Sequence, residues 1–290
     1  MSLKWKEDYI KNLLNPYKWN NNLVLKRQNL PSTLFKYRTF DETNSMIYSI
    51  EAIKENKIWL SSPDNLNDPY DCSFDINSDD LSAIVGPSLN DIEAKIKDAL
   101  KELEAQGKQD FIDWFRRVIG KRDEDLLLEF NGSTKKNYHK IFSLSERKDS
   151  ILMWTHYAKN HTGFCVEYET PTDLWDGLLL RCIHPVIYTD KLPNIGKYIF
   201  SQDPWEKLIG FILPALHKAK DWEYEKEWRF ILSYGILSGN KYISPPIRAV
   251  YAGARISEAD LAKLKSLCIA NSISLFRTSW KARQFEMSIQ

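Results

Sequence analysis

Two interleaved rows run through residues 221–232, DWEYEKEWRFIL. Counting by twos, one row reads Trp222, Tyr224, Lys226, Trp228, Phe230, Leu232, and the other reads Glu223, Glu225, Glu227, Arg229, Ile231. A period of two is the signature of a half-buried strand, whose side chains alternate between a core face and an outer face. Such a strand needs partner strands and apolar cover for its aromatic row. The second row predicts an unusual face, because carboxylates are poor strand formers and like charges repel unless a cation or a ligand stands opposite. The plain alternative is a solvent-facing row in which Arg229 neutralises part of the charge. A helical reading would stack Glu223 and Glu227 at i and i+4, but the aromatic density favours a strand.

The same pattern recurs along the chain. TLFKYR (33–38), KIWLSS (57–62), IFSLSE (141–146), GFCVEYE (163–169), LRCIHPVIY (180–188) and IRAVYAG (247–253) all read as strands. Helices are expected over 3–14, over about 43–55, where Ile47, Ile50 and Ile53 recur, and over about 151–158. Asp203 with Pro204 and Glu206 forms a strong start signal for a helix expected to reach about Lys220, and Ser257 starts another near 258–269. From about 88 to 135, Ile92, Ile96, Leu100 and Leu103 recur at helical spacing amid charge, predicting a helical insertion with a solvated face, available to a protein partner. The expected architecture is one α+β domain over 1–290, a mixed, largely antiparallel sheet with helical insertions. No βαβ rhythm supports a doubly wound sheet.

Composition narrows the function classes. The chain has 290 residues, 43% of them hydrophobic, enough for a packed core. Its 40 basic and 39 acidic residues leave a net charge of +1, unlike the electrostatic footprint of a dedicated duplex-DNA binder. Cys72, Cys165, Cys182 and Cys268 are widely spaced, which predicts reduced core thiols in a cytoplasmic protein. The N-terminal stretch has no apolar signal region, and the apolar run 208–216 is interrupted by Pro214 and too short to span a bilayer.

Three segments carry chemistry in order: FKYRTF with Arg38, WLSSP with Ser61 and Ser62, and EKE with Glu225 and Glu227. Together they resemble the Arg, Ser-Thr-Ser and Glu-x-Glu motifs of the ADP-ribosyltransferase superfamily, although the middle threonine is absent. The resemblance implies a transferase-like fold that takes NAD as substrate and delivers ADP-ribose to a macromolecular acceptor, protein or nucleic acid, or to water. It also implies a setting in phage defence or as a toxin. On this reading Glu227 stabilises the oxocarbenium-like cation formed when the nicotinamide bond breaks, and Glu225 orients or deprotonates the acceptor. Arg38 would take the pyrophosphate, Ser61 and Ser62 would hold the ribose and the carboxylate, and Tyr37 or Tyr70 would stack on nicotinamide. No resident metal is expected.

Longer segments, LFKYR, WLSSPDNLNDPYDC, FSLSERKDSILMWTHYAKNHTGFCVEYE and DWEYEKEWRFIL, resemble a bacterial family catalogued as domain of unknown function 2971. That resemblance draws in Asn67, Asp68 and Asp71 of NDPYD, and His156 of MWTHYA. Asx residues beside proline ordinarily cap a turn, and His156 with His161 at i, i+5 lacks a clear third ligand. Trp154 and Tyr157 are expected to pack inward, leaving His156 near a cleft. Two further function classes stay open: a divalent-metal nuclease or phosphohydrolase using Asp68, Asp71, Glu225, Glu227 and His156, and a non-catalytic module that binds a nucleotide or a protein.

Overall fold

The computed structural model describes residues 2–40, 44–77, 127–128, 131, 139–170, 178–199, 201–233 and 241–290. The expected insertion at about 88–135 lies outside them apart from 127, 128 and 131. The strands are β1 (Thr33–Arg38), β2 (Lys57–Trp59), β3 (His139–Ser145), β4 (Phe164–Glu169), β5 (Ile183–Pro185), β6 (Ile187–Thr189), β7 (His217–Ala219), β8 (Glu227–Ser233), β9 (Lys241–Ile243), β10 (Ile247–Ala252), β11 (Ser274–Trp280) and β12 (Met287–Ile289). The longer helices and the one beside the site are α1 (Ser2–Leu13), α2 (Trp19–Asn29), α3 (Asn44–Lys54), α4 (Ile151–Tyr157), α5 (Pro204–Leu216) and α6 (Glu258–Ala270).

Eight strands form one sheet in the order β12-β11-β10-β4-β1-β3-β8-β5. Each neighbouring pair is antiparallel except β10 and β11, which run parallel and are joined through α6. The fold is therefore α+β with a mixed, mostly antiparallel sheet. Trp228, Phe230 and Leu232 of β8 join Phe142, Leu144, Val166 and Val250 in one core. Ile231 and Ile141, pointing the other way, meet Tyr9 and Leu13 of α1 and Ile209 and Leu213 of α5. Further along the sheet, Phe35, Tyr37, Cys165 and Tyr251 pack against Met153 and Trp154 of α4. Each fully buried large apolar side chain contributes about 1.5–3 kcal/mol, so these rows fix the registers of the central strands.

Three expectations are corrected. The period of two does not extend over all of 221–232: Lys220–Glu225 form a 3-10 turn, Lys226 is left-handed (φ 44°), and the strand starts at Glu227. Helix α5, capped by Asp203, stops at Leu216 and not near Lys220. Pro214 in its last turn has no N–H to donate, and the chain leaves in extended form as β7. Finally, 180–188 is a short helix (Leu178–Cys182) followed by two separate strands, β5 and β6. Pro185 ends β5 at the outer edge of the sheet, where a missing backbone donor is tolerated.

The sheet parts between β1 and β3. These strands register at Phe35 and Ser145 alone, whereas at the other end of β3 Ile141 exchanges two 2.8 Å backbone bonds with Ser61. The loop after β2 thus occupies the edge that β1 would otherwise pair. Gly163 brings α4 back to the sheet there, because a Cβ at this position would stand 2.1 Å from the Arg38 carbonyl oxygen.

Candidate functional site

The parting opens into a cavity of about 90 Å³. Its walls are residues 35–37 of β1, residues 143–145 of β3, Leu66, Asn67 and Asp71 from the loop after β2, Met153 and Tyr157 of α4, and Lys218, Glu225 and Glu227. Each charged group arrives there for a local reason. The early end of α5 extends the chain so that Lys218 turns inward and is buried. The left-handed Lys226 stays exposed and joins the turn to β8, with Glu225 and Glu227 buried on either side of it.

The carboxylate row is answered by cations of the same chain. Arg229 grips Glu227 through Nε (2.8 Å) and Nη2 (3.0 Å), and Asp71 through Nη1 (2.7 Å) and Nη2 (2.6 Å). Nη1 also donates to the Ala215 carbonyl, 2.9 Å away in the last turn of α5, where helix carbonyls lack partners. Lys218 Nζ lies 2.6 Å from Glu225 Oε2, 3.1 Å from Glu227 Oε2 and 3.7 Å from Asp71 Oδ2. Side chains in this network are at most 4% exposed. Tyr157 donates a short hydrogen bond, 2.5 Å, to Glu225 Oε1 and accepts one from Asn67 Nδ2 at 3.1 Å. Ser145 Oγ donates to the Glu225 carbonyl at 2.6 Å.

These surroundings drive the two glutamates apart. Burial raises the pKa of both, but around Glu227 the Arg229 and Lys218 charges outweigh burial and hold it well below the usual carboxylate range. Glu225 is raised, by burial first and then by the Glu227 charge, against the opposing pull of Lys218 and Tyr157. Burial disfavours charged Lys218, yet Glu227, Asp71 and Glu225 together raise its pKa. The arrangement therefore holds one fixed anion beside one carboxyl group suited to exchanging a proton, the division of labour seen in paired-carboxylate sites.

Five of the residues singled out from sequence line this cavity: Tyr37, Asn67, Asp71, Glu225 and Glu227. Tyr37 does so beside Phe35 and Lys36 of the same strand, while its hydroxyl donates to the Arg147 carbonyl and its ring packs edge-on against Trp154. Arg38 does not line the cavity; its guanidinium stands over the Phe142 ring, as the Lys36 ammonium also does, and its Nε and Nη2 are buried without hydrogen bonds. Ser61 is held by its bridge to Ile141, and Ser62 precedes the turn at Pro63. Asp68 accepts from the Tyr70 amide at 2.9 Å, the ordinary turn-capping role, and the Tyr70 side chain is exposed. His156 lies outside the cavity wall in edge contact with Trp222 and Tyr224, whereas His161 stacks on Trp154. Among the described residues no group of three or more His, Cys, Asp or Glu side chains is placed to hold a metal ion. All four cysteines are free thiols, and among the described residues no helix is long and apolar enough to cross a membrane.

Lys218, Tyr157 and the pair Ser143 and Ser145 line the cavity without having been marked as candidates. Lys218 had one signal, a basic residue just beyond a proline-terminated helix. Tyr157 had its inward position on a short helix. The strand serines had none.

No curated protein and no solved structure matches the chain. Residues 153–230, which run from Met153 and Tyr157 of the cavity wall through Lys218, Glu225 and Glu227 to Arg229, match the family described as a protein of unknown function (DUF2971), which supports the resemblance to that family.

Proposed function

We propose that the protein breaks an N-ribosyl bond in this cavity, with NAD as the donor and a macromolecule or water as the acceptor. The observation that carries the reading is the pair Glu225 and Glu227, two carboxylates in one cavity whose proton affinities are pushed in opposite directions. The sequence resemblance to ADP-ribosyltransferases supports the choice of donor; no relative bears on it. Glu227, fixed by Arg229 and Lys218, supplies a negative charge that needs no rearrangement as positive charge develops on the sugar. The bond between C1′ and nicotinamide breaks, and its electron pair leaves with nicotinamide. A new bond forms between C1′ and the acceptor, whose proton passes to Glu225. Tyr157, hydrogen-bonded to Glu225, holds that carboxyl group in position.

Nicotinamide release from NAD, with and without bacterial lysate as acceptor, tests the reading. Release by the wild type that is lost in both Glu225→Gln and Glu227→Gln is the expected result. No release by concentrated wild-type protein in either condition would overturn it.

One observation favours a second reading, a non-catalytic binding module. The bidentate bonds from Arg229 to both Asp71 and Glu227 brace a loop, a strand and a helix end, as a purely structural ion network would. This reading predicts ligand binding without turnover, with Glu225→Gln altering affinity alone.

A further inference from the structure

The cations around the cavity differ in one respect. Lys218 is engaged by Glu225, Glu227 and Asp71, and Arg229 behind it by Asp71 and Glu227. Lys36, half-buried on β1, lines the same cavity and has no hydrogen-bond or ion-pair partner among the described residues. Its ammonium lies 5.3 Å over the Phe142 ring, a contact that orients the side chain but neutralises nothing. Lys36 is thus an amine in the wall of the cavity with no ion pair of its own among the described residues.

We propose that Lys36 is the anion-recognition group of this cavity and that the compound acted on there carries a phosphate on the sugar whose bond is broken. The proposal rests on the ribosyl reading: in a dinucleotide donor the 5′-phosphate and the C1′ bond belong to one ribose, so a cavity that cleaves at C1′ meets the phosphate close by. An ammonium is a compact point charge suited to that group. Burial and the neighbouring Arg38 lower the Lys36 pKa to about 7, with Glu227 and Glu225 raising it and Lys218 lowering it. A bound phosphate would draw the amine to its charged form.

The test is calorimetric titration of the full chain with ribose 5-phosphate and with ribose. The wild type is expected to prefer the phosphorylated sugar. Lys36→Met should lower that preference about tenfold or more, the loss expected when a hydrogen bond to a charged group is removed. Lys36→Arg should retain it. Methionine keeps an apolar stem over Phe142, and an unchanged urea midpoint will show that the variant is folded. Equal preference in Lys36→Met and wild type, or no preference in the wild type, would overturn the proposal. If the Lys36-dependent preference persists while NAD is not cleaved, anion recognition stands and the ribosyl-transfer reading fails.

Discussion

Arg229→Met removes the cation at the centre of the network and leaves the Asp71 and Glu227 side chains where water reaches 2% and 4% of their surfaces. Five hydrogen bonds to oxygen disappear, four to carboxylates and one to the Ala215 carbonyl. Breaking a buried ion pair by deleting one partner costs about 3–5 kcal/mol, mainly through the charge left behind. Two carboxylates are stranded, but Lys218 remains 3.1 Å from Glu227 and 3.7 Å from Asp71, which keeps the loss within that range. Urea unfolding followed by tryptophan fluorescence should report it, and the melting temperature should fall by roughly 10 °C. The pH dependence supplies an independent check. Since the folded pKa of Glu227 is depressed, its contribution is fully present above the unfolded carboxylate range and is lost as pH falls through the folded value. Without Arg229 that depression shrinks, so the variant should lose less stability on acidification than the wild type. The triple change Asp71→Asn, Glu227→Gln, Arg229→Met should be more stable than Arg229→Met alone, because no charge is stranded. A loss under about 1 kcal/mol for Arg229→Met, or additive losses in the triple variant, would refute the account.

Tyr157→Phe removes the hydrogen bond that holds down the Glu225 pKa, so the acid limb of the pH profile of nicotinamide release should move to higher pH; an unmoved limb would exclude Glu225 as the titrating base. Gly163→Ala forces a methyl group to 2.1 Å from the Arg38 carbonyl oxygen, and a loss of about 1–3 kcal/mol in urea unfolding is expected; wild-type stability would show that the strand and turn separate easily. Ser150→Ala removes the side-chain acceptor for the Met153 amide at the start of α4 and should cost about 1 kcal/mol without shifting the pH profile.

Periodicity made much of the fold legible. β1, β4 and β10 fall where alternating apolar residues place them, and α5 and α6 begin at Asp203 and Ser257, whose side chains cap the first turn. These signals are local, because a cap and a period each involve only residues within a turn or a pleat. The C-terminal strands β11 and β12 were not legible: although they pair with near neighbours in the chain, β11 is mostly exposed, with Thr278 its one buried residue, so no apolar alternation marks it. Residues 221–232 show the limit most clearly. Glu225 and Glu227 obey a period of two although only Glu227 belongs to the strand.

The sequence by itself determined several of the longer elements, the aromatic row that β8 buries, and the fact that a line of carboxylates needed something positive opposite it. Tertiary structure decided what that something is: Arg229 from the same strand and Lys218 from beyond a helix end, closing on Asp71 from a loop more than a hundred residues earlier. It also decided that Lys36 rather than Arg38 lines the cavity. Alternation tells which residues share a face, but where two strands part depends on a distant segment, here Ser61, taking the edge that one of them leaves open.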